Sequence, residues 1–137
     1  MSSTLKGSCL CGGVRFEVSA APLFQGFCQC LDCRKVTAGR YAAIGVPSQA
    51  LKVTGESRRY GKPGDSGQMI YRNFCATCGS MVFDYGDGMP GITVINAALL
   101  DDPEMFKPQS VVYARSALSW DHIDPGLPRF EALPPQP

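Results

Sequence analysis

The chain has 137 residues, 45% hydrophobic and 18% charged, with 13 basic against 12 acidic side chains, a length typical of one domain with its own core. That balance excludes a disordered charged tail and offers no field for a polyanion, so nucleic acid is not an expected partner. No apolar run reaches the roughly 18–20 residues of a membrane span, and the stretch up to Lys6 lacks a signal-peptide core. No membrane partner and a cytoplasmic location are therefore expected.

Fifteen Gly and eleven Pro favour short strands and turns over long helices. The first strand is expected where Val14, Phe16 and Val18 alternate with Arg15 and Glu17, a period of two with one buried face. Further short strands are expected over residues 23–27, 41–46, 51–54, 68–74, 80–85, 92–95 and 111–115. Turns at Ala21-Pro22, at Lys62-Pro63-Gly64-Asp65 and at Gly86-Asp87-Gly88 separate some of them. Helix is expected only over residues 31–37, with a turn over 100–106. From about residue 125 the Pro-rich tail should lie extended on the surface or fray. The expectation is a single mainly-β domain over residues 1–137.

The seven cysteines are Cys9, Cys11, Cys28, Cys30, Cys33, Cys75 and Cys78. Each lies within three residues of another, an arrangement poor for disulfides and good for chelation. In Cys9-Leu10-Cys11 an extended backbone would put both sulfurs on one side. Cys75-Ala76-Thr77-Cys78 suits a tight turn at a hairpin tip, with Gly79 placed for a left-handed conformation. Cys28, Cys30 and Cys33 offer three thiolates within six residues, the last at a helix start. A division of four plus three follows most simply. Cys9, Cys11, Cys75 and Cys78 would close a tetrahedral structural site, and the local triplet would leave one position open. Lys6, Arg34, Lys35 and Arg72 are cations near enough in sequence to offset the thiolate charge. Three other readings stand beside this one: a wholly structural role for all seven cysteines, an iron–sulfur cluster, and redox chemistry at Cys75 and Cys78. The spacings match neither ferredoxin pattern, and the last pair lies outside any βαβ unit.

Several blocks together resemble the glutathione-dependent formaldehyde-activating enzyme (GFA) family, to which centromere protein V is also similar. They are Gly7-Ser8-Cys9-Leu10-Cys11-Gly12-Gly13-Val14-Arg15-Phe16, then Cys28-Gln29-Cys30-Leu31-Asp32-Cys33-Arg34-Lys35, then Phe74-Cys75-Ala76-Thr77-Cys78-Gly79-Ser80, then Val94-Ile95-Asn96-Ala97 with Leu99. Tyr113, Trp120 and Leu127-Pro128-Arg129-Phe130-Glu131 continue the likeness. The resemblance implies a β-tent fold of small antiparallel sheets around zinc sites. It implies two zinc ions per chain: a structural one at Cys9, Cys11, Cys75 and Cys78, and an active-site one, more labile, at Cys28, Cys30 and Cys33. It also implies a carbon–sulfur lyase, written as condensation of glutathione with formaldehyde to S-(hydroxymethyl)glutathione.

In that chemistry Arg34, Lys35 and Asn96 are the expected glutathione contacts, with Arg40 a further cation for a carboxylate. A monomer or homodimer would serve. A zinc-stabilised binding module without catalysis, or a carrier of the glutathione adduct, is the competing class. The open triplet favours the enzyme, because a scaffold needs only the closed site. A methionine-sulfoxide reductase would need a nucleophilic cysteine outside the zinc pairs, and none follows Cys78. His122, the single histidine, is expected to be a turn residue, and Trp120 and Tyr113 ordinary packing.

Overall fold

Phe16 and Val18 are buried while Arg15 and Glu17 are exposed, so the period-two alternation becomes a strand with one wet face, β2 (Arg15–Val18). The computed structural model describes residues 4–134. β2 lies between β1 (Leu5–Ser8) and β5 (Leu51–Thr54) in a three-stranded antiparallel sheet. The second sheet contains β3 (Phe24–Cys28), β4 (Tyr41–Pro47), β6 (Ser57–Pro63), β7 (Met69–Cys75), β8 (Met81–Gly86), β9 (Ile92–Asn96) and β10 (Val111–Val112). Its order is β10-β3-β4-β9-β8-β7-β6, antiparallel except where β10 runs parallel to β3. The protein is mainly β, with two sheets and a single α-helix, α1 (Leu31–Thr37), among the described residues.

The two sheets share one core. Leu5, Val14, Phe16 and Val18 from the first sheet side pack with Ile44, Val46, Val82 and Ile95 from the second. Burying each such side chain contributes about 1.5–3 kcal/mol. A smaller cluster lies beside it, with Cys33, Tyr41, Met81 and Val94 buried and Cys28 and Cys30 packed against them. The triplet is therefore seated on the β4–β9–β8 surface rather than hung on a loose loop.

Several local expectations change. β1 and β6 are strands that the sequence pattern does not announce. β1 is four residues long, and β6 is an exposed edge strand whose Gly61 and Pro63 read as turn residues. The strand expected over 111–115 stops at Val112, because Tyr113 turns left-handed (φ 55°) and opens a 3₁₀ turn, Ala114–Ser116. The turn expected over 100–106 is the 3₁₀ turn Pro103–Met105, and a second 3₁₀ turn, Ala97–Leu99, precedes it. Pro128, Phe130 and Ala132 of the tail are tied to the segment after Ser110. Val111 N donates to Pro128 O (2.9 Å), Phe130 N to Val111 O (2.9 Å) and Tyr113 N to Ala132 O (3.1 Å).

Candidate metal centres

Cys9 and Cys11 sit in the loop joining β1 to β2, while Cys75 ends β7 and Cys78 sits in the loop joining β7 to β8. The extended geometry expected for Cys9-Leu10-Cys11 is not found. Gly12 N donates to Cys9 O (3.0 Å) and Cys9 N to Val14 O (2.9 Å), so the pair is carried by a hairpin turn. Gly12 at φ 80° makes that turn possible. The second pair is at a hairpin tip as expected, with Gly79 left-handed at φ 79°.

The four sulfurs all lie within 4.8 Å of one another, with Cys9 Sγ to Cys11 Sγ at 3.6 Å and Cys11 Sγ to Cys75 Sγ at 3.7 Å. A tetrahedron with Zn–S bonds of about 2.3 Å has edges of about 3.8 Å, so the sulfurs fit a zinc ion. Backbone amides already face them. Val14 N donates to Cys9 Sγ (3.2 Å), Gly13 N to Cys11 Sγ (3.4 Å), and Thr77 N and Cys78 N to Cys75 Sγ (3.3 and 3.4 Å). Such donors stabilise thiolates, the form a metal needs. Ser80 joins the loops: Leu10 N donates to its Oγ (3.1 Å), which lies 3.3 Å from Cys78 Sγ. The Ser80 hydroxyl and then its backbone push the Cys78 thiol down to about 5.

Cys28, Cys30 and Cys33 form the second group, again with sulfurs within 4.8 Å of one another. No fourth His, Cys, Asp or Glu joins them among the described residues. Cys28 ends β3, Cys30 is the N-cap of α1, and Cys33 lies buried in its first turn. Cys30 Sγ accepts from Cys33 N at 3.2 Å, the bond a Ser or Asp cap would make. Hydrogen bonds from Cys28 and then Cys33 push Cys30 down to about 2, while the Cys30 partner pushes Cys28 up to about 12. Cys33 is driven far up by its two sulfur neighbours and by burial. The sulfur and amide donors around Cys30 thus favour its thiolate, the form a metal needs.

Behind the triplet lies a polar group that sequence reasoning missed. Tyr41 Oη donates to Asp84 Oδ1 at 2.9 Å, joining β4 to β8 across β9. Burial pushes the Asp84 carboxyl up to about 6, against the Tyr41 hydrogen bond and the charge of Arg72. A polar residue inside the apolar run Met81-Val82-Phe83-Asp84-Tyr85 was the available signal. The folded chain holds this proton up to about pH 6, whereas an ordinary carboxyl releases it near 3.8. The contribution to stability is therefore complete below about pH 3.8 and is lost as pH rises through 6. Asp84→Asn should flatten that fall and raise stability at pH 7 by up to about 3 kcal/mol, at 1.36 kcal/mol per pKa unit. Parallel wild-type and variant melting curves against pH would contradict it.

The remaining named residues are placed as follows. Arg34 Nη1 and Nη2 donate to the two Asp121 carboxylate oxygens (3.0 and 2.7 Å), and Nη2 also donates to Ser116 O (3.1 Å). Its guanidinium lies 5.0 Å from the Trp120 ring centre. This pair ties the segment after β10 to α1. Lys35 is exposed. Asn96 caps the following 3₁₀ turn, its Oδ1 accepting from Ala98 N (3.0 Å) and its Nδ2 donating to Met81 O (2.9 Å). Arg40 stacks 3.7 Å above the Phe27 ring and donates to the His122 carbonyl (2.9 Å). His122 is an exposed loop residue, as expected. Lys6 lies 3.9 Å from Glu17, and Arg72 is buried near the triplet, acting on Cys30 rather than on the four-cysteine group.

The chain is thus a mainly-β protein with two cysteine groups, one of four and one of three, each of which could hold a metal ion. Residues 4–116 match the family described as glutathione-dependent formaldehyde-activating enzyme, and the chain belongs to that family. It is also similar to the crystal structure of a Rhodobacter sphaeroides protein, at 21% identity and a TM-score of 0.56, over 91% of this chain and 98% of that one. That likeness concerns the fold. No curated protein matches the chain.

Proposed function

We propose that the protein is a zinc-dependent carbon–sulfur lyase that joins glutathione to formaldehyde, giving S-(hydroxymethyl)glutathione. The observation carrying this reading is the open three-cysteine group, seated in a packed cluster and lacking a fourth ligand among the described residues. Family membership supports the glutathione and formaldehyde chemistry. In the reaction a sulfur–carbon bond forms, the carbonyl π bond breaks, and the thiol proton ends on the former carbonyl oxygen. Bound at the triplet, zinc would supply an open position that keeps a thiol deprotonated at neutral pH.

The residues of the chain do the rest. Cys28, Cys30 and Cys33 hold the open site, and Cys9, Cys11, Cys75 and Cys78 hold the structural one. Of the three contacts named from sequence, Lys35 makes no ion pair within 4 Å among the described residues. Arg34 is engaged by Asp121 and Asn96 by its turn. Lys35 is therefore the cation of that set kept as a glutathione contact.

Glutathione should perturb the charge-transfer spectrum of the cobalt-substituted protein, and S-methylglutathione should do so much less. Equal responses, or none, would count against sulfur ligation at the triplet. Product formation with formaldehyde must then exceed an enzyme-free control, because thiol and aldehyde combine without help.

A further inference from the structure

A guanidinium placed in an apolar interior is costly unless paired. Arg72, on β7, is only 6% exposed, and its Nε is buried without a hydrogen-bond partner. No carboxylate lies within 4 Å of it among the described residues, although Asp84 is its cross-strand neighbour on β8. Asp84 spends an oxygen on the Tyr41 hydroxyl instead.

Arg72 lines an open cavity of about 220 Å³. Phe74 and Met81 supply apolar wall, and Val36 and Tyr60, both exposed, stand at its edge. A Cβ built on Gly79, which also lines the cavity, would meet nothing within 4 Å, so that side is open space. The cavity adjoins the triplet through two residues. Met81 packs in the same cluster as Cys33, Cys28 and Cys30, and Val36 follows Cys33 by one turn of α1.

We propose that Arg72 and this cavity form a carboxylate subsite for the thiol substrate, placed beside the open position of the three-cysteine group. This rests on the reading of the triplet as a thiol-binding site. A single guanidinium between apolar walls matches a planar, singly charged carboxylate, which it can grip with two parallel hydrogen bonds. A phosphate would call for more donors than the cavity lining offers. The subsite thus selects thiols that carry a carboxylate and sets how far it stands from the sulfur.

The test compares glutathione with its diethyl ester, which keeps the thiol and loses both carboxylates. Titration calorimetry on the zinc-loaded protein measures affinity, and the cobalt-substituted protein reports sulfur ligation independently. The wild type should bind glutathione about 10–100-fold more tightly than the ester, the range for charge-assisted hydrogen bonds. Arg72→Met should cut that preference about tenfold or more while leaving affinity for the ester unchanged, and Arg72→Lys should cut it less. If both thiols perturb cobalt yet bind equally well to the wild type, the subsite is wrong and the open site stands. If neither perturbs cobalt, the reading of the triplet fails and the subsite with it. A preference undiminished by Arg72→Met, or loss of cobalt on that substitution, would overturn the proposal as well. Should Arg72→Met not fold, Arg72→Lys decides: a reduced preference supports the subsite, and an unchanged one overturns it.

Discussion

Cys78→Ser is expected to leave an insoluble or poorly folded chain, whereas Cys30→Ser is expected to stay folded and lose one metal. The four-cysteine group joins loops far apart in sequence, since Cys11 and Cys75 are 64 residues apart. A zinc there closes a long loop and holds the three-stranded sheet to the tip of the β7–β8 hairpin. Structural zinc contributes about 10–16 kcal/mol in small zinc-dependent units, against a net stability of about 5–15 kcal/mol for a typical domain. Removing one ligand therefore threatens the whole fold. Cys30 belongs to a triplet that closes only a few residues, and its second duty is to cap α1 through Cys33 N. Serine is among the best residues for that cap, so the helix start survives the substitution. Circular dichroism melts and zinc counts on both variants decide the matter. If Cys30→Ser unfolds as readily as Cys78→Ser, the division into structural and active-site groups is wrong.

The grouping of cysteines was legible because each pair or triplet is local, and chelate spacing constrains which sulfurs can meet. Helix α1 lies over residues 31–37, where the sequence led us to expect it, but its cap by Cys30 was not foreseen. β2 could be read from its alternation, but β6 could not. An edge strand with most of its residues exposed has no buried face to impose a period of two, and Gly61 and Pro63 point to a turn. The end of β10 was hidden too, because a tyrosine in the left-handed region breaks the ordinary preference against it. Tyr41, Arg72 and Asp84 come together only through the strand order β4-β9-β8-β7, Tyr41 and Asp84 being 43 residues apart. Their adjacency is a property of topology, and no local spacing encodes it. Arg72 shows the limit clearly. In sequence it is merely a cation three residues before Cys75, while in the fold it is buried on β7 opposite Asp84 and lines the cavity beside the triplet cluster.

Gly55 is the other position where a small change should have a large effect. It follows β5 at the point where the chain leaves the three-stranded sheet for β6 in the second sheet. Its φ is +99°, a conformation that residues with a Cβ rarely adopt. A Cβ there would also drive into the Gly13 carbonyl and crowd the Val14 backbone. Both obstacles are main chain, so no rotamer change relieves them. The neighbouring Glu56 carbonyl accepts from Ala76 N at 3.2 Å. This crossing therefore bears on both cysteine loops, with Gly55 against Gly13 and Val14 after Cys11, and Glu56 against Ala76 between Cys75 and Cys78. Gly55→Ala combines left-handed strain with overpacking, each costing about 1–3 kcal/mol, for a loss of about 4 kcal/mol. To relieve the clash, Gly13 must move away, and its amide is the donor facing Cys11 Sγ. The four-cysteine group should then release its metal to a chelator faster than in the wild type, while the triplet keeps its own rate. Chelator-competition kinetics with two resolved phases, together with thermal melts, would show this. A melt shifted without any change in the slower, structural phase would mean that Gly55 supports the sheets and not the cysteine loops.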